Sequence, residues 1–178
     1  TSNFKQENNR IEQTIFDYSR DGLIDAFHFY KPNFKYNNQG QIASDNGILN
    51  EINKRNLGMD LCSQNSCDLF MTMDCDEFYD KKQFVWAKED FIKNQYDSSF
   101  VQMKTYYKYP TLEVYPSETY YVPLFYKLKF NQDGFNLKHW TNNYPLNTDP
   151  TRRLSAGYSR IYTRDEIELH HYAYVRKE

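Results

Sequence analysis

Apolar positions along the chain change their period several times. Ile11, Ile15 and Tyr18 recur at helical spacing, and Arg20-Asp21-Gly22 supplies a stop. Leu23 to Tyr30 then reads as a strand closed by Lys31-Pro32, and residues 33–47, rich in Asn, Gln and Gly, read as a loop. A second helix is predicted from Ile48 to Cys62, with Ile48, Ile52, Met59 and Cys62 near one face. Leu69-Phe70-Met71-Thr72-Met73 is a short apolar run of the kind a buried parallel strand shows, and it leads straight into Asp74-Cys75-Asp76-Glu77. Asp80 can cap a third helix whose Phe84, Ala87 and Phe91 share one stripe. Phe100 to Tyr107 alternates as a strand does, as does Thr119 to Phe130 around Pro123. Residues 131–150 are polar, and Ile167 to Val175 forms a last strand.

The order helix, strand, helix, strand, helix and then mostly strands predicts an α/β sandwich with additional antiparallel strands late in the chain. No repeat or linker divides it, so a single domain over 1–178 is expected. Ligands of such folds sit at the carboxyl ends of parallel strands, which nominates Asp74 to Glu77.

Composition narrows the picture. The 178 residues carry 22 basic and 24 acidic side chains, a net charge of -2, which argues against a nucleic-acid partner. Mean hydropathy is -0.91, and the run at Leu69–Met73 is far too short for a transmembrane segment. No signal peptide is visible, and a chain opening on Thr1 is expected to be a piece of a longer protein. Aromatic residues make up 18%, which a disordered chain would lack. Three cysteines, Cys62, Cys67 and Cys75, fit neither a disulfide framework nor a paired zinc motif. Reduced, mostly buried thiols in a cytoplasmic protein are the expectation.

Three carboxylates within four residues repel one another unless a cation, basic residues or water offsets their charge. Asp74 and Asp76 can both face a divalent ion shared with a phosphate, or the turn can be a solvated cap for the next helix. His170 and His171 are neighbours on a strand, so they point to opposite faces and only one can enter a site. Imidazole suits Mn²⁺, Zn²⁺ or Fe²⁺ better than Mg²⁺. Lys54 and Arg55 can reach a diphosphate, or Arg55 can pair with Glu51 on a solvated helix face. Arg152, Arg153, Arg160 and Arg164 either bind phosphate or balance acids. The glycine-rich phosphate loops, the serine-hydrolase elbow and the H-E-x-x-H zinc motif are all absent from the sequence.

Asn50 to Asp80, "NEINKRNLGMDLCSQNSCDLFMTMDCDEFYD", resembles the central block of glycosyltransferases with the GT-A fold, especially family 2-like bacterial sequences. The closing "LHHYAYVRK", Leu169 to Lys177, and "DPTRR", Asp149 to Arg153, are similar to elements of the same group. The resemblance implies a Rossmann-related α/β/α sandwich with a mixed, mainly parallel sheet, truncated before the strand that holds the nucleotide base. It implies that Asp74 faces the ribose or the metal and that Asp76 binds Mn²⁺ or Mg²⁺ bridging the diphosphate. It further implies that His170 or His171 completes the metal shell, that Arg55, with Lys54 beside it, contacts the nucleotide, and that Glu77 supports the chemistry or the acceptor.

The function so implied is transfer of a sugar from a nucleotide-diphosphate sugar to a glycan or lipid-linked acceptor. Asp165, Glu166 and Glu118 are the candidates for a base on the acceptor hydroxyl. Two other readings stay open: a different Mg²⁺-dependent nucleotidyl or phosphoryl transferase, and a non-catalytic carbohydrate-binding remnant of the fold.

Overall fold

The computed structural model describes residues 2–33, 46–129, 134–135, 147–155 and 157–175. The chain divides into two compact units, Thr1–Asn33 and Phe34–Glu178. No described helix is long and apolar enough to cross a membrane.

The first unit holds α1 (Ser2–Arg20). It stops where the sequence predicts, because Gly22 takes a left-handed φ of 73° that lets Leu23 N–H close on the Tyr18 carbonyl at 2.8 Å. The strand expected over Leu23 to Tyr30 does not form. Its alternation is spent locally instead: Phe27 and Phe29 gather on Phe16 of α1, with ring centroids 5.1 and 6.1 Å away.

The second unit runs α2 (Asn46–Gln64), β1 (Leu69–Phe70), β2 (Glu77–Phe78), α3 (Lys81–Lys93), β3 (Ser98–Lys108), β4 (Tyr121–Lys127), β5 (Ser159–Ile161) and β6 (Glu168–Val175). The strands make one six-stranded sheet in the order β1-β4-β3-β6-β2, and β5 also pairs with β3. The sheet is mixed, as expected, but not mainly parallel. The β1–β4, β3–β4 and β2–β6 ladders are antiparallel, whereas β3–β5 and β3–β6 are parallel. The apolar run marked a strand that is covered as far as Thr72, while Met73 is exposed; apolarity carries no information on direction, and β1 pairs antiparallel with β4. The run is also strand for only two residues. Pro123 is accommodated inside β4 beside a shift of register against β3 between Ser98 and Phe100.

The helices α2 and α3 pack on opposite faces. Ala87 and Phe91 of α3 meet Val101, Leu124, Ile167 and Leu169, with Leu69 and Met71 packed against them. Ile52 and Met59 of α2 meet Phe70, Leu128 and Phe135. Neighbours on a strand point to opposite sides, so Leu69 and Phe70 divide between the two clusters. The Asp80 carboxylate caps α3 as predicted, accepting from Lys82 N–H at 2.9 Å and Gln83 N–H at 3.1 Å. On α2, Ile48 falls outside the buried face (36% exposed), while the polar Asn50 and Arg55 are buried. The predicted loop at 33–47 and the polar stretch 131–150 lie mostly outside the described residues.

Candidate functional site

Just past β1 the chain turns at Asp74-Cys75-Asp76-Glu77 and returns as β2. Glu77 N–H closes the turn on the Asp74 carbonyl at 3.1 Å. Tyr172 N–H of β6 donates to the Asp76 carbonyl at 2.8 Å, pinning the turn to the sheet. The β2–β6 ladder sets Glu77 opposite His171 and Phe78 opposite His170. An open cleft of about 860 Å³ lies here, and Lys54, Arg55, Thr72, Asp74, Asp76 and His171 are among its lining residues.

The acidic turn is held by a buried cation. Arg152, 3% exposed, donates to both Glu77 oxygens at 2.6 and 2.9 Å, and to Asp74 Oδ2 at 2.5 Å. Its Nε lies 3.1 Å from Asp149 Oδ2. A second buried guanidinium, Arg55, donates to the Asp74 carboxylate at 3.2 and 3.3 Å and lies 3.6 Å from Glu51. The helix-face pairing of Arg55 with Glu51 is thus present, but Arg55 points into the protein rather than into solvent. Lys54 reaches only Glu51 among the described residues, at 2.7 Å.

Burial pushes the Asp74 carboxyl up, but the charges of Arg152 and Arg55 outweigh it and hold the group below the ordinary value of 3.8. For Arg152, burial opposes the charge, and the bonds and fields of Glu77, Asp74 and Asp149 more than reverse this, so it stays cationic.

The predicted site residues therefore separate. Asp74 and Glu77 are bound to arginine, and Glu77, 3% exposed, braces the turn from behind instead of lining the cleft. Asp76 lines the cleft, and no described cation pairs with it. His171 also lines it, with Nδ1 3.4 Å from Thr105 Oγ1. His170 turns away: its Nδ1 lies 2.8 Å from the Tyr106 hydroxyl and its ring stacks on that tyrosine. Among the described residues no three carboxylate, imidazole or thiol groups converge as a ready-made metal site, so Asp74, Asp76, His170 and His171 are not one cluster.

The candidate bases stand elsewhere. Glu166 is bound to Arg160 at 2.5 Å, Glu118 offers its carbonyl to Arg164, and neither they nor Asp165 line the cleft. Of the four arginines, Arg152, Arg160 and Arg164 (the last on Glu168) balance acids, and Arg153 donates to the Thr148 carbonyl at 2.7 Å. Asp149, quoted in the sequence only as part of "DPTRR", does line the cleft. Two cysteines depart from expectation: Cys67 and Cys75 are exposed and Cys62 is half-buried, because Cys67 lies in the connection after α2 and Cys75 tips the turn.

Comparison with known protein families, with curated proteins and with solved structures finds no match to this chain.

Proposed function

We propose that this chain is a metal-dependent glycosyltransferase domain of the GT-A type, moving a sugar from a nucleotide-diphosphate sugar to a glycan or lipid-linked acceptor. One observation carries the reading: an open cleft past the carboxyl end of β1 gathers Asp74, Asp76, His171, Lys54 and Arg55 from α2, the acidic turn and β6. Fifty or more residues separate these segments along the chain, except α2 and the turn.

Two donors in the cleft support the metal in this reading. Asp76 offers carboxylate oxygen without a described ion-pair partner, and His171 offers the imidazole nitrogen not turned to Thr105. Oxygen with one imidazole suits Mn²⁺. Glu51, Asp74, Asp76, Glu77 and Asp149 face Lys54, Arg55 and Arg152 in and behind the cleft, which leaves two negative charges for a divalent cation to neutralise. Asp76 and His171 would hold the metal, while Asp74, fixed by two guanidinium groups, would accept from ribose hydroxyls. When bound, the ion offsets charge growing on the departing diphosphate. Lys54 adds a mobile cation, since an exposed pair such as Lys54–Glu51 is worth little and its ammonium can transfer to a phosphate oxygen.

The test is calorimetric titration with UDP, GDP and CDP, each with Mn²⁺ and again with EDTA. One diphosphate should bind only with metal. Asp76→Ala should abolish that binding and His171→Ala weaken it about tenfold or more, the cost of a lost ligand or its support. His170→Ala should leave it intact. Binding indifferent to EDTA, or to Asp76→Ala, would refute the reading.

A second reading, a non-catalytic glycan-binding domain, draws on one feature. Tyr106 and Tyr172 stack in parallel at 4.5 Å, and Phe78, 52% exposed, meets Tyr172 edge-on at 5.6 Å. Tyr106 is buried, but the exposed Phe78 ring offers a face for stacking on a sugar. Glycan binding that survives both EDTA and Asp76→Ala would favour it.

A further inference from the structure

All three described helices end in the same way, and the end of α2 places two cysteines where the motif brings side chains together. The motif needs one left-handed residue just past the helix, with the following N–H closing on a carbonyl five residues back. It is Gly22 after α1, Ser66 (φ 58°) after α2 and Gln95 (φ 56°) after α3. At α2, Cys67 N–H donates to the Cys62 carbonyl at 3.0 Å and Ser66 N–H to the Ser63 carbonyl at 3.1 Å. The two residues joined by the longer closure normally make a side-chain contact. At α3 that contact is visible: Tyr96 N–H closes on the Phe91 carbonyl at 3.3 Å, and the two rings sit 6.2 Å apart. At α2 the corresponding residues are Cys62 and Cys67.

We propose that Cys62 and Cys67 are a dithiol pair that the α2 terminus holds ready for disulfide formation, a modification site outside the cleft. One hydrogen bond between their backbones confines the two Cα atoms to the short separations a disulfide spans. The thiols are near enough for Cys67 to push the Cys62 thiol up, in addition to the effect of burial. Cys67 is exposed and Cys62 half-buried, which assigns the order of events. The Cys67 thiolate attacks one sulfur of a small-molecule disulfide such as glutathione disulfide, forming a mixed disulfide and releasing one thiolate. Cys62, as thiolate, then attacks the Cys67 sulfur, forming the internal bond and releasing the second thiolate. The protein loses two electrons and two protons, and the small disulfide is reduced to two thiols. The product ties the last turn of α2, the helix that carries Lys54 and Arg55, to the residue before Asp68 and β1.

The test is to expose the native chain to glutathione disulfide, count thiols with a chromogenic reagent and map peptides by mass. The Cys62 and Cys67 peptides should be joined with no glutathione on either, whereas glutathione should accumulate on Cys75, which is exposed and lies outside the pair. Cys62→Ser should instead trap glutathione on Cys67, since the resolving thiol is gone. In urea the motif is lost, and internal closure should slow about tenfold or more as the pair's effective concentration drops. A native chain that leaves Cys62 and Cys67 unjoined while the urea-unfolded chain closes would overturn the inference. So would stable glutathione on Cys67 in the unsubstituted protein. Neither outcome depends on nucleotide binding, so the glycosyltransferase reading stands or falls separately.

Discussion

Replacing Arg152 by methionine would remove a buried charge while keeping a flexible chain of similar length, and its consequences can be worked out in sign and size. In the native protein Arg152 and Glu77 are 4% and 3% exposed and share two hydrogen bonds. Breaking a buried pair by deleting one partner costs about 3–5 kcal/mol, because the other charge is left without compensation. Asp74 adds less, since its side chain is 39% exposed and keeps Arg55. Arg152→Met should therefore lower unfolding free energy by about 3–5 kcal/mol at neutral pH. The pH dependence follows from the Asp74 carboxyl, which Arg152 and Arg55 hold below 3.8 against the effect of burial. A lowered folded value contributes stability above 3.8 that disappears as pH falls through the folded value. Without Arg152 burial gains ground, the carboxyl accepts a proton more readily, and that contribution shrinks. The gap between parent and variant is therefore widest at neutral pH and narrows as pH falls below 3.8. Urea unfolding followed by tryptophan fluorescence across that range measures it. A loss below about 1 kcal/mol, the size of an exposed pair, or a gap that widens in acid, would refute the assignment of Arg152 as the keystone of the turn.

Two smaller perturbations test the helix ends. Asp80→Ala removes the acceptor for Lys82 and Gln83 N–H and should cost about 1 kcal/mol, read from the shift in urea midpoint at constant slope. Ser66→Gly relieves a left-handed serine (φ 58°) and should gain about 0.5–1 kcal/mol, the left-handed penalty less the extra chain entropy of glycine. A destabilised Ser66→Gly chain would mean that the serine side chain contributes more than its backbone costs.

Elements set by neighbouring residues were legible, and those set by distant partners were not. The third helix needed only Asp80 and the stripe of Phe84, Ala87 and Phe91, all within a dozen residues. Strand β2 is two residues long, and its partner in β6 lies more than ninety residues further on, so no local period could announce it. The region Leu23 to Tyr30 failed for the opposite reason. Its alternation was real, but Phe27 and Phe29 meet Phe16 of the nearby α1 instead of a neighbouring strand. For the paired histidines, strand parity predicted that they would part. Which one faces the cleft depended on the pairing of Glu77 with His171, invisible until the sheet is assembled.

The acidic turn joins these threads. Crowded carboxylates demand a cation, and in isolation the demand reads as a request for metal. The protein meets much of it internally: Arg152, 75 residues from Glu77, and Arg55 together neutralise the two carboxylates that shape the turn. The turn is thus held by the protein's own charges, with Asp76 and His171 not committed to a described cation. On the proposed reading, a cation entering beside Asp76 would find the backbone already in place, and a pre-organised site loses less on binding. The same logic makes the mutations separable. Loss of Arg152 should damage folding first and binding as a consequence, whereas loss of Asp76 should damage binding alone, since its only described anchor is a backbone carbonyl that survives substitution.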